Sequence, residues 1–166
     1  MMEAVFDEAG LPRELIWIGL IESGYDRNAR SSKNAVGIWQ LIPETAQTFG
    51  LSIGGPDERT DPLKSTIAAA RYLKFLYARF EDWLLALAAY NSGERRVQTA
   101  IDRAKSTDFW RLVELELLPR ETQAYVPAVL AAQFLGEVRL GKTKVANDSI
   151  PKKAYKVVFA TVGTSQ

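Results

Sequence analysis

Apolar positions recur at helical spacing over most of this chain, and the breaks in that pattern mark where helices end. The stretch "LPRELIWIGLIES" is apolar on nearly every side except at Arg13 and Glu14. That predicts a buried helix, opened by Pro12 at its first position and closed by Gly24. Residues 24–36 are polar or small and predict a loop. "PETAQTFG" predicts a short helix between Pro43 and Gly50. In "DPLKSTIAAARYLKFLYARF", Asp61 is the expected N-cap and Pro62 the first helical residue. Leu63, Ile67, Ala70, Leu73, Leu76, Tyr77 and Phe80 recur there at three- and four-residue steps, predicting one buried stripe.

"EDWLLALAAYN" predicts a nearly all-apolar helix ended by "NSG", and "ERRVQTAI" continues as a helix after it. "STDFWRLVEL" offers capping hydroxyls and a short amphipathic helix. "PRETQAYVPAVLAAQFLGEV" predicts a long helix from Pro119, kinked or divided at Pro127. From Leu140 the chain turns Lys-rich, with a strand expected at "YKVVFATV". The fold class expected is therefore all-α, one domain over residues 1–139. Residues 140–166 are expected to form a C-terminal tail, linker or short β-hairpin. No internal repeat is present.

Composition narrows the chemistry more than the fold. At 166 residues, 47% of them hydrophobic, the chain can bury one sizeable core. A net charge of +1 gives no global case for a nucleic-acid partner. There is no Cys and no His, so thiol catalysis, thiolate or His metal sites, disulfides and Ser-His-Asp chemistry are excluded. Acid–base work must fall to Asp, Glu, Tyr or Lys. No apolar run approaches the roughly 20 residues needed to cross a membrane. "MMEAVFDEAG" lacks the basic start and apolar centre of a signal peptide. The expectation is a cytosolic protein or a piece of a longer precursor.

Four places offer chemistry. Glu22 closes the apolar run "LIWIGLI" and precedes a polar loop. A carboxyl at the inner end of an apolar helix, at the negative end of the helix dipole, is expected to have a raised pKa and to serve as a general acid. A solvated Glu at a frayed helix end fits the same pattern. In "AVGIWQ", Gly37 predicts a close backbone approach or a positive φ. Gln40, an amide beside Trp39, suits a carbohydrate, while a core Trp at a helix start explains the stretch equally. "LAAYNSG" delivers Tyr90 and Asn91 at the end of an apolar helix, for binding or only for a cap. In "PRETQAYVP", Glu121 and Tyr125 are four apart and share a helical face, and Glu121 also meets a favourable dipole.

Taken together and in order, these blocks carry a resemblance. "ESGYD", "NAVGIWQLIPETA", "DWLLALAAYNSGERRV", "STDFW" and "LPRETQAYVP", with "DER" and "DP" between them, resemble the lytic murein transglycosylases with the goose-type lysozyme fold. This is the glycoside hydrolase family 23 type, and the wording is most similar to the membrane-bound D branch. The resemblance runs from about Leu11 to about Gly136.

It implies a lysozyme-like helical domain with a substrate groove. It also implies cleavage of the β-1,4 bond between N-acetylmuramic acid and N-acetylglucosamine in peptidoglycan, leaving a 1,6-anhydromuramoyl end. Glu22 would be the catalytic acid and then base. Ser23, Ser31, Gln40, Tyr90, Asn91, Glu121 and Tyr125 match substrate-binding positions. Ordinary glycosidases need two carboxylates, roughly 5–5.5 Å apart for retention and roughly 6.5–9.5 Å for inversion. In the family resembled the substrate's own C6 hydroxyl attacks, so the resemblance implies that one carboxyl suffices, and it implies no metal or cofactor. Asp57, Arg59 and Asp61 match the family pattern too, but capping and loop pairing account for them.

The implied partner is the peptidoglycan glycan strand, with no nucleic acid, no membrane span in this chain and a monomeric state. The implied place is the bacterial cell envelope: the periplasm, with outer-membrane association of a full-length protein. Two departures stand out. Neither the export signal nor the LysM modules usual in the D branch is read here. Trp39 replaces the Met of "GLMQ" in other branches, where it is expected to alter how the sugar packs. Alternatives are a goose-type lysozyme that hydrolyses the same bond, and an inactive glycan-binding scaffold.

Overall fold

The computed structural model describes residues 1–139 and Gly141. The described residues are helical and contain no β-strand, as the periodicity predicts. The strand and hairpin expected near the C-terminus lie outside the described residues. The fold divides into two compact units, Met1–Ala78 and the chain from Arg79 onward.

The first unit opens with helix α1, Met2–Glu8, which the sequence pattern did not single out. Its Phe6 is fully buried. Next comes a correction. Pro12 does not begin an α-helix: it is extended, with φ −55° and ψ 130°, and caps a 3-10 turn over Arg13–Ile16. The α-helix proper, α2, spans only Trp17–Ser23. Gly24 ends it in the left-handed conformation, as expected for a glycine that stops a helix.

The segment between α2 and α3 (Pro43–Thr48) is irregular. Its first part is exposed and polar, while Ala35–Trp39 and Leu41 are buried. Two isolated antiparallel bridges, Arg30 to Val36 and Val36 to Leu41, fold it back on itself. Helix α4, Pro62–Phe80, has the expected cap, since Asp61 Oδ1 accepts from the N–H groups of Leu63 and Lys64.

Its buried face matches the predicted stripe only in part. Ala70, Leu73 and Leu76 of that stripe are buried, and Ser65, Thr66 and Ala69 turn inward with them, whereas Leu63 and Tyr77 are 47% and 38% exposed. Periodicity identified the helix, but small and hydroxyl residues can occupy the tight side of a packed helix. A hydrophobicity count passes over them.

In the second unit, α5 (Trp83–Ser92) is buried from Leu85 to Ala89, with Asp82 as N-cap. It packs against α6 (Glu94–Ala104) and α8 (Arg120–Arg139). Helix α7, Phe109–Glu114, is capped by Asp108 rather than by a hydroxyl. Ser106 Oγ instead accepts from the Asp108 N–H. Pro127 lies inside α8, which runs through it without a break, so there is no division there.

Candidate active site

Glu22 sits in the last turn of α2 and is half-buried. The helix end around it is tightly tied. The Gly24 N–H donates to Leu20 O at 2.9 Å and the Tyr25 N–H to Gly19 O at 3.1 Å. Tyr25 itself has φ +64° and donates its hydroxyl to Ile16 O, and burial pushes its phenol up from the usual range. Gly19 is needed for this packing. A Cβ there would lie 3.0 Å from both Ile38 Cγ2 and Tyr25 Cε1. Ser23, expected beside the substrate, donates to Ile38 O at 2.9 Å and to Gly19 O at 3.3 Å. Its hydroxyl therefore pins the end of α2 to the following loop, and with it the backbone that carries Glu22.

The loop is built from inside by Arg59, which is only 6% exposed. Its Nε and Nη2 donate to the two carboxylate oxygens of Asp57, at 2.9 and 2.8 Å. Its Nη1 reaches Asn34 O at 2.8 Å and Leu41 O at 3.0 Å, bracketing the turn from both sides. The Arg59 guanidinium beside Asp57 holds that carboxyl below the usual carboxylate range, chiefly through the side-chain hydrogen bonds. The structural role expected for the "DER" motif is thus what the structure shows.

Gly37 meets both of its expected demands. Its φ is +82°, and a Cβ would stand 2.1 Å from Arg59 O. Trp39 is corrected. It is fully buried against Phe6, ring centroids 5.5 Å apart, and its indole N–H donates to Thr66 Oγ1 at 3.0 Å. It is a core residue and does not pack a sugar.

Gln40 and Ser31 share this loop, and both already have structural duties. The Gln40 amide nitrogen donates to Gly37 O at 2.8 Å and Ala29 O at 3.3 Å, while its backbone has φ +44°. Ser31 Oγ accepts from the N–H groups of Lys33 and Ala35. In the second unit the structure brings Asn91 and Glu121 together. Asn91 Nδ2 donates to Glu121 Oε1 at 3.3 Å, and Asn91 Oδ1 accepts from Thr122 Oγ1 at 2.7 Å. Asn91 is therefore not merely a helix cap; that place belongs to Gly93. Thr122, fully buried, was not picked out from the sequence. Its only signal was its place beside Glu121 in the "PRETQAY" block. Glu121 is exposed in the first turn of α8, Tyr125 is buried one turn on, and Tyr90 is half-buried near the end of α5.

Chemically, this gives a half-buried carboxyl on a braced helix end in one unit. In the other it gives an amide–carboxylate pair at the start of a long helix.

Comparison with known proteins adds three findings. Residues 3–113 match the family described as the transglycosylase SLT domain. The chain is 47% identical over 127 residues to membrane-bound lytic murein transglycosylase D of Escherichia coli K12, covering 73% of this chain and 27% of that protein. Among solved structures it is similar to the lytic transglycosylase Slt of Pseudomonas aeruginosa. There the TM-score is 0.73 at 27% identity, over 86% of this chain and 24% of that one. It is also similar to the 70 kDa soluble lytic transglycosylase of Escherichia coli, with a TM-score of 0.70 at 25% identity over 83% and 24%. The lysozyme-like helical fold expected from the sequence is the fold these structures share. The chain spans about a quarter of the length of these relatives.

Proposed function

The chain belongs to the transglycosylase SLT domain family, and from that premise we propose that it is a peptidoglycan lytic transglycosylase. It cleaves the β-1,4 bond between N-acetylmuramic acid and N-acetylglucosamine and works in the bacterial cell envelope. The observation that carries this proposal is the 47% identity over 127 residues to a membrane-bound lytic murein transglycosylase. The half-buried Glu22 on its braced helix end supports the assignment of the acid.

The chemistry needs one carboxyl. Glu22, protonated, gives its proton to the glycosidic oxygen as the C1–O bond breaks. The 2-acetamido group stabilises the positive charge left at C1. The C6 hydroxyl of the same sugar then attacks C1 and passes its proton to the Glu22 carboxylate, which restores the acid. The product is a 1,6-anhydro ring and no water is consumed. Ser23, Ser31, Gln40, Tyr90, Asn91, Glu121 and Tyr125 are assigned to the sugar path. Within that set, Ser23 acts by holding the backbone at Glu22. Glu121, held by Asn91, is assigned to the acetamido side of the substrate.

Mass spectrometry of digested sacculi tests the reaction. Anhydro-ended muropeptides are expected, and reducing ends alone would make the protein a hydrolase. Glu22→Gln should lower turnover at least about a hundredfold, the low end for a positioned proton donor, while binding to sacculi persists. Retained turnover in that variant removes Glu22 from the mechanism. Retained turnover in Glu121→Gln removes Glu121.

A further inference from the structure

Helix α6 carries charge that the cleavage chemistry leaves unused. Arg95, Arg96, Thr99 and Arg103 follow one another at one-, three- and four-residue steps, so they cover one side of the helix. Val97 and Ala100 are buried in its packing. Along the basic side lies a cavity of about 440 Å³, bordered by Ser92, Arg95, Arg96, Thr99, Arg103 and Leu117. All of it belongs to the second unit.

Arg13, Arg59 and Arg111 pair with Asp7, Asp57 and Glu114. No carboxylate among the described residues pairs with Arg95, Arg96 or Arg103. The acids on the same helix do not border the cavity: Asp102 accepts from Gln98, and Glu94 stands at the helix start. The two hydroxyls at the rim donate to backbone, Ser92 to Ala88 O and Thr99 to Arg95 O. The free donors facing the cavity are therefore guanidinium N–H groups, whose fork geometry matches planar oxyanions.

Three like charges around one concavity repel one another, and an anion with two or more negative charges relieves that repulsion. We propose that this cavity is an accessory site for the carboxylates of peptidoglycan stem peptides. The proposal rests on the cleavage function above. In stem-bearing glycan the lactyl carboxyl of each N-acetylmuramic acid is taken up in the amide bond to its stem, so the anionic groups of that substrate are the stem carboxylates. Leu117 gives the cavity an apolar edge for the aliphatic part of a peptide.

The test has two parts. Calorimetric titration uses the free stem tetrapeptide, the same peptide with its carboxyls amidated, and inorganic phosphate. The tetrapeptide is expected to bind at least tenfold more tightly than its amidated form. It is expected to lose at least tenfold in affinity in Arg95→Gln/Arg103→Gln, and to keep most of it in Arg95→Lys/Arg103→Lys, which retains charge. Equal affinity for the wild type and the Gln variant overturns the site. Tighter binding of phosphate than of the tetrapeptide overturns its assignment to carboxylates.

In the second part, the rates on glycan with intact stems and on glycan stripped of stems, with its freed lactyl carboxyls amidated, are compared as a ratio. The ratio is expected to favour stem-bearing glycan in the wild type and to fall toward one in the Gln variant. A wild type inactive on both glycans strikes the cleavage function, and the titration then decides the cavity alone.

Discussion

Gly37 shows how much can depend on a missing methyl group. Its φ of +82° is a region side chains disfavour, and the Arg59 carbonyl fills the space where a Cβ would stand. The obstructing atom is backbone, so no rotamer change relieves the clash. Gly37→Ala is expected to destabilise the protein by at least about 3 kcal/mol, from strain and overpacking together. Urea unfolding at neutral pH measures this, and a loss under about 1 kcal/mol would mean that the loop has another way to close. A glycine between small and bulky residues announced this position in the sequence. The partner it makes way for did not show, because Arg59 is 22 positions further on. Glu22 follows the same pattern. Its place at the end of an apolar run was legible, whereas the hydroxyl of Ser23 reaching Ile38 O was not.

At the scale of elements, the helix boundaries follow local chemistry. Asp61, Asp82 and Asp108 each accept backbone N–H groups at a helix start, and Gly24 closes α2. The loop between α2 and α3 owes its shape to the Arg59–Asp57 pair, and that pair makes the stability depend on pH. The folded-state pKa of Asp57 lies below its unfolded value, so its contribution is complete above the unfolded pKa of about 3.9. It fades as pH falls through the lower folded pKa. Asp57→Asn should therefore be less stable than the wild type at pH 7 by about 1.5–3 kcal/mol, the worth of a hydrogen bond to a charged group. The gap should close as pH drops below about 4. Urea midpoints measured over a pH series check this, and a gap that stays constant down to pH 2 would contradict it. The buried face of α4 was legible at Ala70, Leu73 and Leu76 but not at Ser65 and Thr66, which bury their hydroxyls by bonding to Asp61 O and Pro62 O one turn earlier. A satisfied hydroxyl can go inside, and an apolar-position count does not record that.

For the whole molecule, residues 1–139 are proposed as the catalytic domain. A chain ending at Arg139 is expected to release anhydro-muropeptides at a rate within about twofold of the 166-residue chain, a difference under about 0.5 kcal/mol in barrier. Loss of turnover in a folded 1–139 protein would give the remaining residues a part in catalysis. What the sequence determined by itself was whatever is encoded within a few residues. That covers most of the helices, the caps at Asp61 and Gly24, the exclusion of Cys and His chemistry, and the ordered blocks that announce the family. Only the tertiary structure decided which side chains are used up in holding the fold. It put Trp39 in the core, spent the Gln40 amide nitrogen on its own loop, tied Asn91 to Glu121 and Thr122, and left Arg95, Arg96 and Arg103 around a cavity. The physical reason is range. Caps and periodicity are set by neighbours along the chain, but hydrogen bonds and burial depend on partners that only folding brings within about 3 Å.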